Sequence, residues 1–253
     1  MAKVITVTNQ KGGVGKTTTT EAIGVCLKEK GMRVLCIDLD PQGNLSFSVD
    51  AETEYCPNIY NVIKDGTPIR YAIQKNEAFD LITANILLSS VEIEFTQRDR
   101  EFLLKTVIEP IQDRYDYILI DTPPSLSILT INAFAASDCV VIPMVADVFS
   151  LQGIAELNET ILRVKQRCNP KLRIEGVLLT KYNARSNLTK DILLTAERVA
   201  ERLQTKIFNQ KIRTGCAIAE AQARQIPFLS YAPKSNVMKD YMAFVDELTG
   251  KGV

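Results

Sequence analysis

Val4-Ile5-Thr6-Val7-Thr8-Asn9-Gln10-Lys11-Gly12-Gly13-Val14-Gly15-Lys16-Thr17-Thr18 is the stretch whose reading decides the fold. Its first five residues form an apolar, β-branched run, the pattern of a strand buried on both faces. Glycines then break the strand, and Gly-Lys-Thr leads into a helical pattern. A strand, a glycine loop and a helix start together make a cradle for a nucleoside triphosphate. Gly12, Gly13, Val14 and Gly15 let successive backbone N–H groups turn inward on phosphate oxygens. Lys16 brings a point charge to the β- and γ-phosphates, the Thr17 hydroxyl is a Mg²⁺ ligand, and Thr18 completes the phosphate-binding set. The common spacing has a glycine where this chain has Gln10, and a second lysine, Lys11, stands beside it.

Downstream, apolar runs alternate with helical patterns. Strands are expected at 3–8, 33–38, 79–83, 116–121, 138–143 and 174–180, with a short one at 206–208. Helices are expected at 16–30, 98–113, 126–136, 151–168, 188–203 and 236–249. This order predicts one α/β domain over residues 1–253: a doubly wound, mostly parallel sheet with helices on both faces, of the P-loop NTPase type. Its ligand would lie beyond the carboxyl ends of the strands. Two further strand ends carry acids. Arg33-Val34-Leu35-Cys36-Ile37 runs into Asp38-Leu39-Asp40-Pro41-Gln42-Gly43-Asn44, and Tyr117-Ile118-Leu119-Ile120 ends in Asp121. Beside a phosphate loop, the Asp38/Asp40 pair suits orientation of an attacking water and support of a metal. Asp121 occupies the Walker B position, where it would hold Mg²⁺ through water opposite Thr17.

The 253 residues include no histidine, which removes Ser-His-Asp and Cys-His nucleophiles and imidazole-ligated zinc. Six cysteines, none in a Cys-x-x-Cys pair, read as reduced thiols of a cytoplasmic protein. No signal peptide or spanning apolar run is read, and no helix-turn-helix domain is expected ahead of the loop. Net charge is zero but uneven: residues 1–162 hold 13 Lys/Arg against 22 Asp/Glu, and residues 163–253 hold 17 against 8. The basic third reads either as a solvated helical face or as a surface for a polyanion.

Lys11-Gly12-Gly13-Val14-Gly15-Lys16-Thr17-Thr18, Asp38-Leu39-Asp40-Pro41-Gln42-Gly43-Asn44 and Ile120-Asp121-Thr122-Pro123-Pro124-Ser125 resemble the deviant Walker A ATPases of the ParA/MinD group. Leu129-Thr130-Ile131-Asn132-Ala133, Val141-Ile142-Pro143 and Glu175-Gly176-Val177-Leu178-Leu179-Thr180 are similar to its short, Soj-like chromosomal branch. The resemblance implies ATP and Mg²⁺ as cofactors and a homodimer that sandwiches two ATP molecules. Lys11 would cross to the partner's phosphates, and Gly12 would lie where a side chain would meet the opposing subunit. Asp40 would position the attacking water, making Lys11, Lys16 and Asp40 the catalytic set, while Thr17, Asp38 and Asp121 serve the metal. Where that family places Ile-Pro-x-Asn beside adenine, this chain has Phe208-Asn209-Gln210-Lys211, which assigns Asn209 and Lys211 to the nucleobase. Arg185 and Arg213 match positions that bind double-stranded DNA without sequence preference.

The implied role is an ATP-dependent DNA-segregation ATPase, cytoplasmic and nucleoid-associated, slow until stimulated by a ParB-like centromere-binding partner. A MinD-like membrane-cycling ATPase is the alternative. The tail Val237–Leu248 carries Asp240, Asp246 and Glu247 against Lys239, which favours a docked helix, so no membrane partner is expected. A metabolic ATP-driven enzyme, either a reductase or a carboxylate-activating enzyme, is the third class.

Overall fold

The structure is a computed structural model. It describes residues 1–96, 98–145, 148–183 and 204–250, with residues 193, 196, 197, 200 and 201 between the last two segments. Side chains at 92 and 148–153 are not described. The expected helix at 188–203 therefore lies largely outside the described residues, and Arg185 lies outside them entirely.

Six strands, β1 (Lys3–Val7), β2 (Val34–Asp38), β3 (Asp80–Ile82), β4 (Tyr117–Asp121), β5 (Cys139–Val145) and β6 (Arg173–Thr180), form one sheet in the order β3-β2-β4-β1-β5-β6. Every pairing among them is parallel. The register sets Val7 beside Asp121 and Asp38 beside Asp121, so three functional strand ends finish level. The expected short strand at 206–208 is a single parallel bridge, Val177 to Ile207.

Alternation along each strand sends side chains to two cores. Ile5 and Val7 pack with Cys36, Leu119 and the helices α1 (Lys16–Glu29) and α10 (Asn236–Thr249), together with α8 (Cys216–Ala223) and α9 (Phe228–Tyr231). On the other face Val4, Ile37 and Ile120 pack against α3 (Ile59–Lys64), α5 (Leu103–Ile108) and α6 (Ile128–Ala136). The β5 and β6 part of that face is covered by α7 (Val148–Arg167). Helix ends follow local chemistry. Ser127 caps α6 through Leu129 N, Ser235 caps α10 through Met238 N, and Gly31 at φ +79° closes α1.

Two expectations at the level of elements are corrected. The helix read at 98–113 is three pieces: a 3₁₀ turn at Arg100–Phe102, α5, and a 3₁₀ segment Glu109–Arg114. Asn132 reaches from α6 to accept Leu104 N at 3.0 Å and to donate to Arg100 O at 2.8 Å, taking backbone groups a continuous helix would use. Pro110 then removes a donor near the other junction. Short helices also occur where none was read: α2 (Asn44–Ser48), α3, α4 (Val91–Glu94), α8 and α9.

Candidate active site

The loop after β1 is held from below. Buried Asn9 donates through Nδ2 to Pro143 O at 2.7 Å, and its Oδ1 accepts Lys11 N at 3.0 Å, tying the loop's entry to β5. Thr180 at the end of β6 directs its hydroxyl at Val14 O (2.8 Å) and Met144 O (3.2 Å). Gly13 and Gly15 have φ +72° and +88°, the left-handed region that favours glycine. Gly15 precedes α1, whose start has no side-chain cap. The first-turn amides of α1 thus remain for an anion.

Lys16 is 7% exposed, and its Nζ donates to the Lys11 carbonyl at 3.3 Å. Burial pulls its pKa down, while the carboxylates of Asp121 and Asp40 push it back up. Thr17 donates to Asp121 Oδ2 at 2.7 Å and Thr20 to Asp121 Oδ1 at 3.2 Å. Asp121 is fully buried, and burial with the charge of Asp38 raises its carboxyl well above the usual range. The Lys16 ammonium offsets part of this negative charge, and a divalent cation would offset more.

Asp38 and Asp40 divide in position. Asp38 is fully buried and does not line the cavity. Its Oδ1 accepts Asp40 N at 3.1 Å, and its Oδ2 accepts both Ser46 N (2.9 Å) and Ser46 Oγ (2.8 Å). Asp38 thus acts on the site by fixing the turn that carries Asp40. Asp40 lines the cavity, with its Oδ1 accepting Gln42 N at 3.0 Å.

The cavity above the loop measures about 680 Å³. Residues 12–18 form its floor, and Asp40, Gln42 and Phe47 stand on one side with Thr180 and Lys181 on the other. A third wall runs from Ile212 through Gly215 into α8, where Gln222 Nε2 donates to Thr18 Oγ1 at 3.3 Å. An uncapped helix start, inward-facing loop amides, Lys16 and the Thr17–Asp121 pair fit a phosphate chain with a divalent cation. The space is ample for a nucleotide.

Of the expected site residues, the fold brings together residues 12–18, Asp40 and Asp121, with Lys11 at the loop's edge. Asn209 and Lys211, expected at the nucleobase, are not among the residues that line this cavity. The amides of Asn209 and Gln210 donate to the Glu247 carboxylate at 2.9 Å each. Lys211 Nζ bonds Asn209 O at 3.1 Å and sits over the Tyr182 ring at 5.6 Å. The chain offers Ile212 to Gly215 to the cavity instead. Arg213 is also on that wall, in a bidentate pair with Asp240. Asn9, Thr180 and Gln222 were not singled out. Asn9 stands directly ahead of the loop, whereas Thr180 and Gln222 enter only through tertiary packing.

A parallel sheet with a glycine loop at the end of a central strand, an uncapped helix after it and acids at the ends of the adjacent β4 and of β2 beyond it defines a P-loop nucleoside triphosphatase. A family model described as AAA domain matches residues 2–174. The sporulation initiation inhibitor protein Soj of Bacillus subtilis is 39% identical over 258 residues, covering 100% of both chains. The chromosome partitioning protein ParA of Caulobacter vibrioides is 37% identical over 255 residues, covering 98% of this chain and 94% of its own. The crystal structure of cobyrinic acid a,c-diamide synthase from Mycobacterium smegmatis with bound ADP and magnesium superposes with a TM-score of 0.84 at 32% identity. That match covers 97% of this chain and 93% of the other. The chain belongs to the ParA/Soj family of deviant Walker A ATPases.

Proposed function

We propose that this protein is an ATP-dependent DNA-partitioning ATPase. ATP and Mg²⁺ occupy the cavity and two copies close face to face over the nucleotides. The dimer binds DNA without sequence preference until a ParB-like partner stimulates an otherwise slow hydrolysis. The observation that carries this reading is the convergence of the phosphate loop and Asp40 on one cavity, with buried Asp121 hydrogen-bonded to the loop's Thr17.

Each residue's part follows from its place. The loop amides and Lys16 bind the phosphates. Thr17 and Asp121 would hold Mg²⁺, which when bound neutralises phosphate charge and polarises the terminal phosphoryl group. Asp40, fixed by Asp38, orients the water and accepts its proton. Lys11 acts in trans, adding positive charge to the transition state of the partner's nucleotide. The DNA-facing residues are Arg213 and Arg185, in the basic third of the chain.

The C-terminal helix weighs against the membrane-cycling alternative. Val237, Met238, Tyr241, Phe244, Val245 and Leu248 of α10 are buried, all six with α1 residues in one core, so its apolar face is already covered. Among the described residues no helix is long and apolar enough to cross a membrane.

The test is fluorescence anisotropy of a random-sequence DNA duplex titrated with protein, with ATP–Mg²⁺ and with ADP, at two salt concentrations. Salt-sensitive binding with ATP alone is the expected result. No DNA binding in either state overturns the partitioning reading, and liposome co-sedimentation would then address the membrane alternative.

A further inference from the structure

Arg213 has two neighbourhoods. Its side chain is 54% exposed, yet its Nε and Nη2 donate to Asp240 Oδ2 and Oδ1 at 2.7 and 2.8 Å, and Asp240 is only 6% exposed. Asp240 Oδ2 also accepts Arg213 N at 3.1 Å, so one carboxylate fixes both the backbone and the fork of the same residue. A planar, bidentate pair of this kind directs the guanidinium and takes up the donors it would offer to a phosphate.

The pair is also joined to the nucleotide cavity at both ends. Arg213, Thr214 and Gly215 form part of the cavity wall. Asp240 is followed on α10 by Tyr241, which lines the same cavity and shares a hydrogen bond of 3.2 Å with Thr19 of α1. Between these points the loop lies hard against α10. A Cβ at Gly215 would stand 2.4 Å from Val237 Cγ2. The 213–215 loop and the start of α10 are therefore one packed unit, and both of its sides contribute residues to the cavity lining.

We propose that Asp240 is the positioning residue that sets how far Arg213 reaches DNA phosphates, under control of the nucleotide cavity. Asp240 competes with phosphodiesters for the same two donors and subtracts a charge beside them. A nucleotide that presses on the Arg213–Gly215 wall or on Tyr241 shifts the pair and changes what Arg213 offers outward. The proposal rests on the DNA-binding reading above and adds to it the acid that restrains the arginine.

The test compares DNA affinity of the wild type, Asp240→Asn and Asp240→Glu with ATP–Mg²⁺ and with ADP, at 50 and 200 mM salt. Freeing one phosphate contact steepens the salt dependence by about one ion. Asp240→Asn is therefore expected to bind several-fold tighter at low salt and to lose about 3- to 4-fold more affinity than wild type over that range. It should also retain binding with ADP, whereas Asp240→Glu, which keeps the pair, should follow the wild type. Equal salt slopes for wild type and Asp240→Asn overturn the proposal while leaving DNA binding in place. Absence of DNA binding by the wild type overturns the DNA reading and this proposal with it. Should Asp240→Asn fail to fold, side-chain NMR of ¹⁵N-arginine wild-type protein replaces it, with the Arg213 Nε–H assigned from Arg213→Lys. Movement of that signal on adding DNA supports release from Asp240, and an unchanged signal overturns it.

Discussion

Thr17, at the start of α1, and Asp121, at the end of β4, share a hydrogen bond of 2.7 Å across 104 positions of sequence. The contact exists because β1 and β4 pair in register, Val7 beside Asp121, so the helix that follows β1 starts directly over the acid. A hydroxyl and a carboxylate are thus preset on one side of the cavity, with the Lys16 ammonium among the same carboxylates.

Lys16→Ala removes that ammonium from a buried position. Charged hydrogen bonds of this kind are worth about 1.5–3 kcal/mol each, so ATP affinity is expected to fall by about 100-fold or more. Isothermal titration with ATP–Mg²⁺ checks it, and near-wild-type affinity would remove Lys16 from the phosphate site.

Asp40→Ala separates binding from chemistry. The side chain lines the cavity, and its one hydrogen bond among the described residues is to the Gln42 amide of its own turn, so nucleotide binding should persist. Hydrolysis should slow by about 10²- to 10⁴-fold, the usual share of a positioned base. Light scattering with excess ATP should then report a lasting dimer, and a monomer would count against the role given to Asp40.

Gly12→Val isolates the dimer interface. Gly12 is exposed, and a Cβ built there meets nothing within 4 Å in its own chain. Stability should stay within about 0.5 kcal/mol of wild type. If a second subunit closes over this point, the ATP-dependent dimer should disappear in sedimentation velocity. A variant that still dimerises would place the interface elsewhere.

Glu21 predicts a pH dependence of stability. It is buried on α1, its Oε1 accepts Phe228 N at 2.8 Å, and burial pushes its carboxyl from 4.5 up to about 7. Because the folded value is the higher one, the stability this group supplies is complete below pH 4.5 and is lost as pH rises through about 7. Across that window the loss is about 3 kcal/mol. Glu21→Gln can keep the contact with Phe228 without the titration. Its urea midpoint should move ahead of the wild type's as pH goes from 5.5 to 8, and parallel pH profiles would refute the assignment.

The sheet was legible because its strands are continuous apolar runs buried on both faces, such as Tyr117-Ile118-Leu119-Ile120, and two of them, β2 and β4, end in an acid. The phosphate loop and Asp121 were legible for the same reason: their chemistry is local and tied to a strand end. What escaped was non-local. The 100–114 break depends on an Asn132 that lies on another helix. The α8 wall was hidden in Cys-Ala-Ile-Ala-Glu-Ala-Gln-Ala, a run too short and too weakly patterned to declare a helix. The family resemblance singled out Arg213, but the buried acid that pairs with it sits 27 residues away on α10.

β1 lies inside the sheet, hydrogen-bonded to β4 on one side and β5 on the other, whereas the α8 side of the cavity rests on short helices at the periphery. Amides of residues 4–7 should therefore exchange with deuterated solvent later than those of 216–220 at the start of α8. That order of exchange anchors the phosphate loop in a slower-opening part of the molecule than its α8 wall. The protein can release and readmit its nucleotide through many cycles of local opening without disturbing the strand that carries the loop.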